Sequence, residues 1–365
     1  MTEEKVYNKD SQVERPRIEE PVLVRTQSQE TTLSPHRGLD IGTNMLVAAY
    51  MDADNGATFK MQRDAFYRIE PKSEVNKNSI KMSLDKRGAN YIVDTDGSFI
   101  VVGEDALDIA IERHDKAERP LQKGVISPQN KNSLPMLKRI IKDIIGPAQG
   151  GNAKVVYSVP ASPIDTNFDI VYHTEIMGMY LQELGYSSSP INEAFAIALA
   201  ELLDEGLTGV TLSYGAGMTN CVVIHQGDPL VEFSLTRSGD YIDQSVGKAL
   251  DMSPSLIQQE KEAGINILAP RNQIEDALSV YYNAVIKYTL ENIAYELAQR
   301  KKELPIFRNE VPLIVSGGLT LAEGFVPRVK DILARLELPF KVGQVRRAAD
   351  PMTSVAHGCL LAAHL

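Results

Sequence analysis

Apolar residues run through this chain in short blocks broken by glycine. Residues 39–51 divide at Gly42-Thr43-Asn44 into two apolar stretches, which predicts a β-hairpin. The same pattern of strand, glycine turn and strand returns at residues 209–225 around Gly215-Ala216-Gly217, a weak internal repeat that points to a duplicated fold. Further strands are expected at 91–93, 98–102, 153–159 (stopped by Pro160) and 311–315. Helical spacing marks 104–113, 134–145, 166–184, 191–205, 241–263, 273–303, 321–336 and 354–364. The long one, 273–303, carries Ala277, Val280, Tyr281, Ala284, Ile286, Tyr288, Leu290 and Ile293. Residues 52–120 mix short strands, basic loops and one helix, and read as a small inserted subdomain. Residues 1–35 show neither period and are rich in Glu, Arg, Gln, Thr and Pro, so a disordered tail is expected there, as a plain extension or a partner-docking arm.

Five motifs stand in a fixed order: Leu39-Asp40-Ile41-Gly42-Thr43-Asn44, Asn192-Glu193-Ala194, Tyr214-Gly215-Ala216-Gly217-Met218-Thr219-Asn220, Ser238-Gly239-Asp240 and Ser316-Gly317-Gly318-Leu319. Taken singly, each is an ordinary turn or helix start. Together they suggest one nucleotide held between two similar halves. A glycine turn lets backbone N–H groups face phosphate oxygens. Asp40, at a strand end, is placed to hold Mg²⁺ through water. Glu193 is either a helix N-terminal acid complementing the dipole or a carboxylate that polarises an attacking water. Gly239 and Asp240 face a ribose or metal, or cap the helix that follows. Ser316-Gly317-Gly318 after a buried strand leaves room for a base or ribose. Glu260, Lys261 and Glu262 are a solvated charged face or a nucleoside contact.

Composition narrows this picture. The 365 residues, 43% of them hydrophobic, suffice for two domains with a large core. A formal net charge of -10 argues against broad nucleic-acid binding. Two cysteines in apolar runs, Cys221 and Cys359, fit a reducing cytoplasm better than a disulfide framework. No apolar run approaches the roughly 20 residues a membrane span needs. The N-terminal region has no apolar signal core, and its sole apolar cluster, Val22-Leu23-Val24, gives no amphipathic anchor.

The chain resembles the actin, Hsp70 and sugar-kinase ATPase superfamily, and within it bacterial actins of the MreB and MamK kind. Three further stretches carry the likeness: Arg119-Pro120-Leu121-Gln122-Lys123-Gly124-Val125-Ile126, Val156-Tyr157-Ser158-Val159-Pro160-Ala161, and Asp350-Pro351-Met352-Thr353-Ser354-Val355-Ala356-His357-Gly358. The resemblance spans roughly residues 37–365. It implies an α/β, actin-like ATPase fold: two ribonuclease-H-like domains around a nucleotide cleft. Domain I would run 36–160 with an insertion at about 52–120, and 161–205 would hold its helices and the crossover. Domain II would run 206–345, and a C-terminal helix, 346–365, would return to domain I. The resemblance also implies ATP or ADP with Mg²⁺ in the cleft and Asp40 at the metal. Gly42, Thr43, Asn44 and Gly215, Ala216, Gly217, Met218, Thr219, Asn220 would lie on the phosphates. Glu193 would activate water, Gly239 and Asp240 would lie near ribose or metal, Glu262 would contact ribose, and Gly317, Gly318 and Leu319 the adenosine. Its members polymerise with ATP and hydrolyse it in the filament, so the implied partner is a second copy of the chain.

Two departures stand out. The second phosphate motif of the family begins with Asp, and here that position is Ser213. The segment between Glu262 and the helix beginning near Gln273 is short, so the subdomain at about 240–310 is expected to be reduced. Both features favour, as the runner-up, a non-polymerising scaffold or switch. A chaperone would need a client-binding domain after the core. A small-molecule kinase would need a catalytic base, for which Asp165 and Asp240 are the nominal candidates.

Overall fold

The structure is a computed structural model that describes residues 34–52, 54, 56–127 and 130–365. The expected tail, residues 1–35, lies outside the described residues apart from Ser34 and Pro35.

The first apolar block forms β1 (Arg37–Ile41) and β2 (Met45–Met51), paired antiparallel with Asp40 opposite Val47. β3 (Ala57–Arg63) continues the meander against β2. It belongs to the main sheet, so the insertion starts only after Arg63 and not near residue 52. The insertion consists of β4 (Phe66–Ile69), α1 (Glu74–Arg87), β5 (Tyr91–Val93), β6 (Phe99–Val102) and α2 (Glu104–Glu112), with sheet order β4-β6-β5. In place of the expected basic loops, α1 is a 14-residue helix. It buries only Leu84 and therefore has no apolar stripe to betray it.

A two-residue hairpin, β7 (Leu121–Gln122) with β8 (Val125–Ile126), leads back to the lobe. Next comes α3 (Ser133–Ile145), which buries Met136, Leu137, Ile140, Ile141, Ile144 and Ile145 at helical spacing. β9 (Lys154–Val159), α4 (Val171–Glu183), β10 (Ser187–Asn192) and α5 (Glu193–Glu201) complete lobe I. The sheet order is β10-β9-β1-β2-β3, with β9 parallel to both β1 and β10. The helix expected over 191–205 therefore splits into a polar edge strand and a shorter helix.

Lobe II repeats the plan. β11 (Gly209–Tyr214), β12 (Thr219–His225) and β13 (Asp228–Leu235) form its meander. α6 (Gly239–Leu250), α7 (Pro254–Glu262) and α8 (Gln273–Gln299) follow, then β14 (Val311–Ser316), a 3₁₀ turn at Gly318–Leu321, α9 (Phe325–Leu333), β15 (Val342–Arg347) and α10 (Ser354–His364). Strand order β13-β12-β11-β14-β15 matches lobe I position for position. The single helix expected over 241–263 is two. Asp251 takes a left-handed cap at φ 54°, and Ser253 caps α7, whose first residue is Pro254. Between α6 and β14 the described residues hold helices and one isolated bridge, Asn266 to Glu323, with no named strand.

Each lobe has its own core. A third core joins them, through Val156 of β9, Ala194 and Ile197 of α5, Val222 of β12, Ile314 of β14 and Cys359 of α10. α5 and α10 thus lie where both sheets can bury apolar surface against them, and the cleft opens above this shared layer.

Candidate functional site

Between the lobes lies a cavity of about 390 Å³. The strand ends deliver its floor. On one side β1 carries Asp40 one residue before its end at Ile41 and turns through Gly42-Thr43-Asn44; on the other β11 carries Ser213 one residue before its end at Tyr214 and turns through Gly215 to Met218. The start of α6 braces the second turn. The Gly239 and Asp240 N–H groups donate to the Gly215 and Ala216 carbonyls at 3.1 and 2.8 Å, and the Ser238 hydroxyl also reaches Gly215 O at 2.6 Å. The two turns meet at their tips. Thr43 Oγ1 accepts the Gly124 N–H at 3.1 Å, and a Cβ on Gly217 would stand 2.7 Å from that same nitrogen and inside contact with the Thr43 hydroxyl.

Two carboxyls are sunk in this floor. Asp40 accepts the Ser158 hydroxyl at 2.7 Å, and burial pushes its pKa up to about 6. Glu193 is the first residue of α5, whose cap is Asn192: its Oδ1 accepts the Ala194 and Phe195 N–H groups at 2.8 and 3.1 Å. Burial first, and the neighbouring Asp40 charge second, raise Glu193 to about 8. Two donors from lobe II hold its Oε2, the Ser213 hydroxyl at 3.2 Å and the Asn220 amide at 2.9 Å.

The cavity lining brings together most of the residues singled out from the sequence: Asp40, Gly42–Asn44, Glu193, Gly215–Met218, Gly239, Asp240, Glu262 and Gly317–Leu319. Two stand elsewhere. Thr219 is buried behind the turn and bonds the Ser238 hydroxyl at 3.1 Å. Asn220, also buried, accepts the Ala161 N–H at 2.9 Å and grips Glu193. Both follow the turn on β12, an inner strand buried on both faces, so these successive side chains point to opposite faces and each meets packed protein: Thr219 toward Ser238, Asn220 toward Glu193. Of the charged run 260–262, Lys261 and Glu262 line the cleft and Glu260 faces solvent. Asp165 lies outside the lining and binds the Thr236 N–H at 2.9 Å.

Other residues of the lining carry little or no signal in the sequence. Arg63 and Arg119 reach across from lobe I. Gln258 lies on the facing side of α7, four residues before Glu262. Asp243 and Lys261 form a largely buried ion pair at 2.7 Å; burial lifts Asp243 to about 6 against the pull of that ammonium. Of these, Arg119 and Lys261 stand in stretches that the sequence marks, the first for resemblance and the second as part of a charged run.

Gly317 closes the far wall. It adopts φ 89°, and a Cβ there would lie 2.7 Å from the Tyr214 carbonyl carbon. Beside it run Gly318, Leu319, Leu321, Ala322 and Met352, a mostly apolar slot. Among the described residues, no group of three or more His, Cys, Asp and Glu side chains gathers as a metal site.

Comparison with known proteins follows from this geometry. Structures titled "MamK double helical filament" and "Crystal structure of MreB5 of Spiroplasma citri bound to ADP" are similar to the chain. The first is 19% identical with a TM-score of 0.65, covering 91% of this chain and 99% of its own. The second is 17% identical with a TM-score of 0.60, covering 88% and 94%. A third, a non-polymerising mutant of MamK bound to AMPPNP, is 19% identical with a TM-score of 0.52, covering 91% and 99%. At such identities they establish the fold, that of the bacterial actin-like proteins. No curated protein matches. A family model described as Volactin matches residues 36–363, nearly all of the described chain, and the protein belongs to that family.

Proposed function

We propose that this is an actin-like protein that binds ATP or ADP with Mg²⁺ in the interlobe cleft, hydrolyses ATP slowly and polymerises in a nucleotide-dependent way. One observation carries the reading: Asp40 and Glu193, both shifted upward by burial, stand together on a floor made of two glycine hairpins. Paired carboxyls sunk in a protein without a cationic partner are costly. A divalent ion with phosphates supplies the missing positive charge, and Asp40 would hold that ion through water, with the phosphates themselves completing its shell.

The chain's own residues divide the rest of the work. The turns 42–44 and 215–218 present backbone N–H groups to phosphate oxygens. Glu193, oriented by Ser213 and Asn220, polarises the attacking water. Asn220 is thus proposed to orient Glu193, and not to touch phosphate as the motif reading has it. Glu262 accepts from ribose, and the slot at Gly317–Leu319 takes the base. Solved neighbours with ADP or AMPPNP in their titles support a nucleotide in a cleft of this fold. Neighbours whose titles name filaments or a non-polymerising mutant support self-association.

A second reading keeps nucleotide binding and drops the filament. Ser213 and the strandless stretch between α6 and β14 favour it, because a lost carboxylate slows hydrolysis and a smaller subdomain offers less contact surface. The two nominal bases are both engaged, Asp165 with Thr236 and Asp240 with Arg119 at 2.7 Å, which weighs against a small-molecule kinase that would use either. Pelleting with negative-stain microscopy, in Mg²⁺ with ATP, ADP or neither, tests the proposal. ATP-dependent filaments above a critical concentration are expected. A soluble protein that still binds ATP selects the second reading, and absence of nucleotide binding overturns both.

A further inference from the structure

One arginine ties the two lobes together across the mouth of the cleft. Arg63 ends β3 in lobe I, and its guanidinium forks onto the Glu262 carboxylate of lobe II. Nη1 reaches Oε1 at 3.0 Å and Nη2 reaches Oε2 at 3.1 Å. Nη1 also donates to Asn44 Oδ1 at 3.0 Å. The Asn44 amide donates to Glu262 Oε1 at 3.2 Å, and Gln258 Nε2 donates to the same oxygen at 2.8 Å and to Asn44 Oδ1 at 3.0 Å. Arg119 adds a second tie, to Asp240 at 2.7 Å and to Gln258 Oε1 at 2.6 Å.

This is more than a surface pair. The Arg63 side chain is 11% exposed and that of Glu262 38%, so water competes weakly on one side. Burial alone would raise the Glu262 carboxyl, yet Arg63, Gln258 and Asn44 together hold it below its ordinary value. Acceptor capacity then decides what the carboxylate can still bind. Each carboxylate oxygen offers about two lone-pair sites. Oε1 takes three donors and is saturated, whereas among the described residues Oε2 takes only Arg63.

We propose that Arg63 is a positioning residue that clamps Glu262 across the cleft, leaving Oε2 one acceptor site for a ribose hydroxyl and limiting nucleotide release to the rate at which this clasp breaks. This rests on the nucleotide reading above. Opening the cleft must separate the fork from Glu262 and part Asn44 from Gln258 at the same time, so the bonds fail as a group. Glu104, which also pairs with Arg63 at 2.9 Å, sits in the same lobe, is 60% exposed, and adds nothing across the cleft.

The test uses the full chain as wild type, Arg63→Ala, Arg63→Lys and Glu104→Ala, with two readouts. Hydrogen exchange in the nucleotide-free protein reports opening at α7 and at the 42–46 turn. Release of isotopically labelled ADP into excess unlabelled ADP reports the clasp in function. Arg63→Ala is expected to speed α7 exchange and to release ADP about tenfold faster or more, with a smaller change in the single-turnover hydrolysis rate. Arg63→Lys should fall between, because an ammonium cannot span both oxygens. Glu104→Ala should match wild type in both. Equal exchange and equal ADP release in Arg63→Ala and wild type would overturn the proposal. Arg63→Gln gives the same two readouts should Arg63→Ala not fold. If wild type binds no ADP while Arg63→Ala still loosens α7, the nucleotide reading and the ribose role fall, and the interlobe clamp stands.

Discussion

The Ser213 hydroxyl donates to Glu193 Oε2 at 3.2 Å, from the end of the lobe II strand to the start of the helix shared by both lobes. A serine at this position changes the electrostatics of the floor. It removes one negative charge from beside Asp40 and Glu193, and it supplies a donor that favours the ionised form of Glu193. The two remaining carboxyls are already raised to about 6 and about 8. A third carboxylate would crowd them further unless a cation were bound.

Ser213→Asp should therefore make the protein more dependent on metal. Without Mg²⁺ its melting temperature is expected to fall by a few degrees, as about 1 kcal/mol of added repulsion moves a domain of this size by roughly 2–4 °C. With Mg²⁺ and ATP it should recover that loss, and phosphate release should speed up. Thermal melts in chelator and in Mg²⁺–ATP, beside a phosphate assay, decide it. An unchanged melt in chelator would mean that position 213 is not electrostatically coupled to the pair.

Glu193→Ala is expected to slow phosphate release by about 10²–10⁴-fold, the usual span for general acid–base catalysis, while ATP affinity stays near that of wild type. Removing a carboxyl whose surroundings raise it to about 8 should relieve repulsion on Asp40, but it also leaves the buried Ser213 hydroxyl and Asn220 amide without their acceptor, so the two effects on stability oppose each other. Equilibrium ATP binding and single-turnover hydrolysis, measured side by side, separate turnover from affinity. Loss of binding, or unchanged turnover, removes Glu193 from the catalytic role.

Much of this fold could be read from the sequence because its central strands are continuous apolar runs ending in glycine, as at Gly42 and Gly215. The edges could not. β10, Ser187–Asn192, is polar and largely exposed, so neither period marks it, and its last residues merge with the helix beginning at Glu193. β13 and β15 are likewise edge strands of lobe II with mixed faces. In the site, motif order located the glycine turns but not the direction of side chains, which is why Thr219 and Asn220 turn out to lie behind the wall. The clasp was beyond sequence altogether. Arg63 and Glu262 are 199 residues apart, and only the folded arrangement of two lobes sets them face to face.

The glycine pair 317–318 gives an internal contrast. Gly317 takes φ 89° and has no room for a Cβ beside the Tyr214 backbone, whereas a Cβ on Gly318 meets only Met352 Sδ at 3.8 Å, ordinary contact. Gly317→Ala should cost about 2 kcal/mol or more through backbone strain and the clash. Gly318→Ala, in the first turn of the 3₁₀ segment, should stay within about 1 kcal/mol. Urea unfolding of both variants measures the difference, and equal destabilisation would refute the steric account of this wall.

His173 lies on α4, is 2% exposed, and has no hydrogen-bond partner among the described residues for either ring nitrogen. Burial lowers its pKa from 6.5 to about 4. The sign follows from linkage. Above pH 6.5 the imidazole is neutral in both the folded and unfolded chain and contributes no pH dependence. Below it the unfolded chain takes up a proton that the fold refuses, so stability is lost as pH falls from 6.5 toward 4, by a total of roughly 3 kcal/mol. Raised carboxyls such as Asp40 and Glu193 act oppositely, losing stability as pH rises, so the wild-type curve alone is ambiguous. His173→Leu resolves this. The difference between variant and wild-type unfolding free energies should be flat above about pH 6.5 and should grow in favour of the variant below it, with a slope approaching about 1.4 kcal/mol per pH unit. A difference that stays flat from about pH 7.5 to about pH 4.5 would show that His173 takes up its proton within the fold.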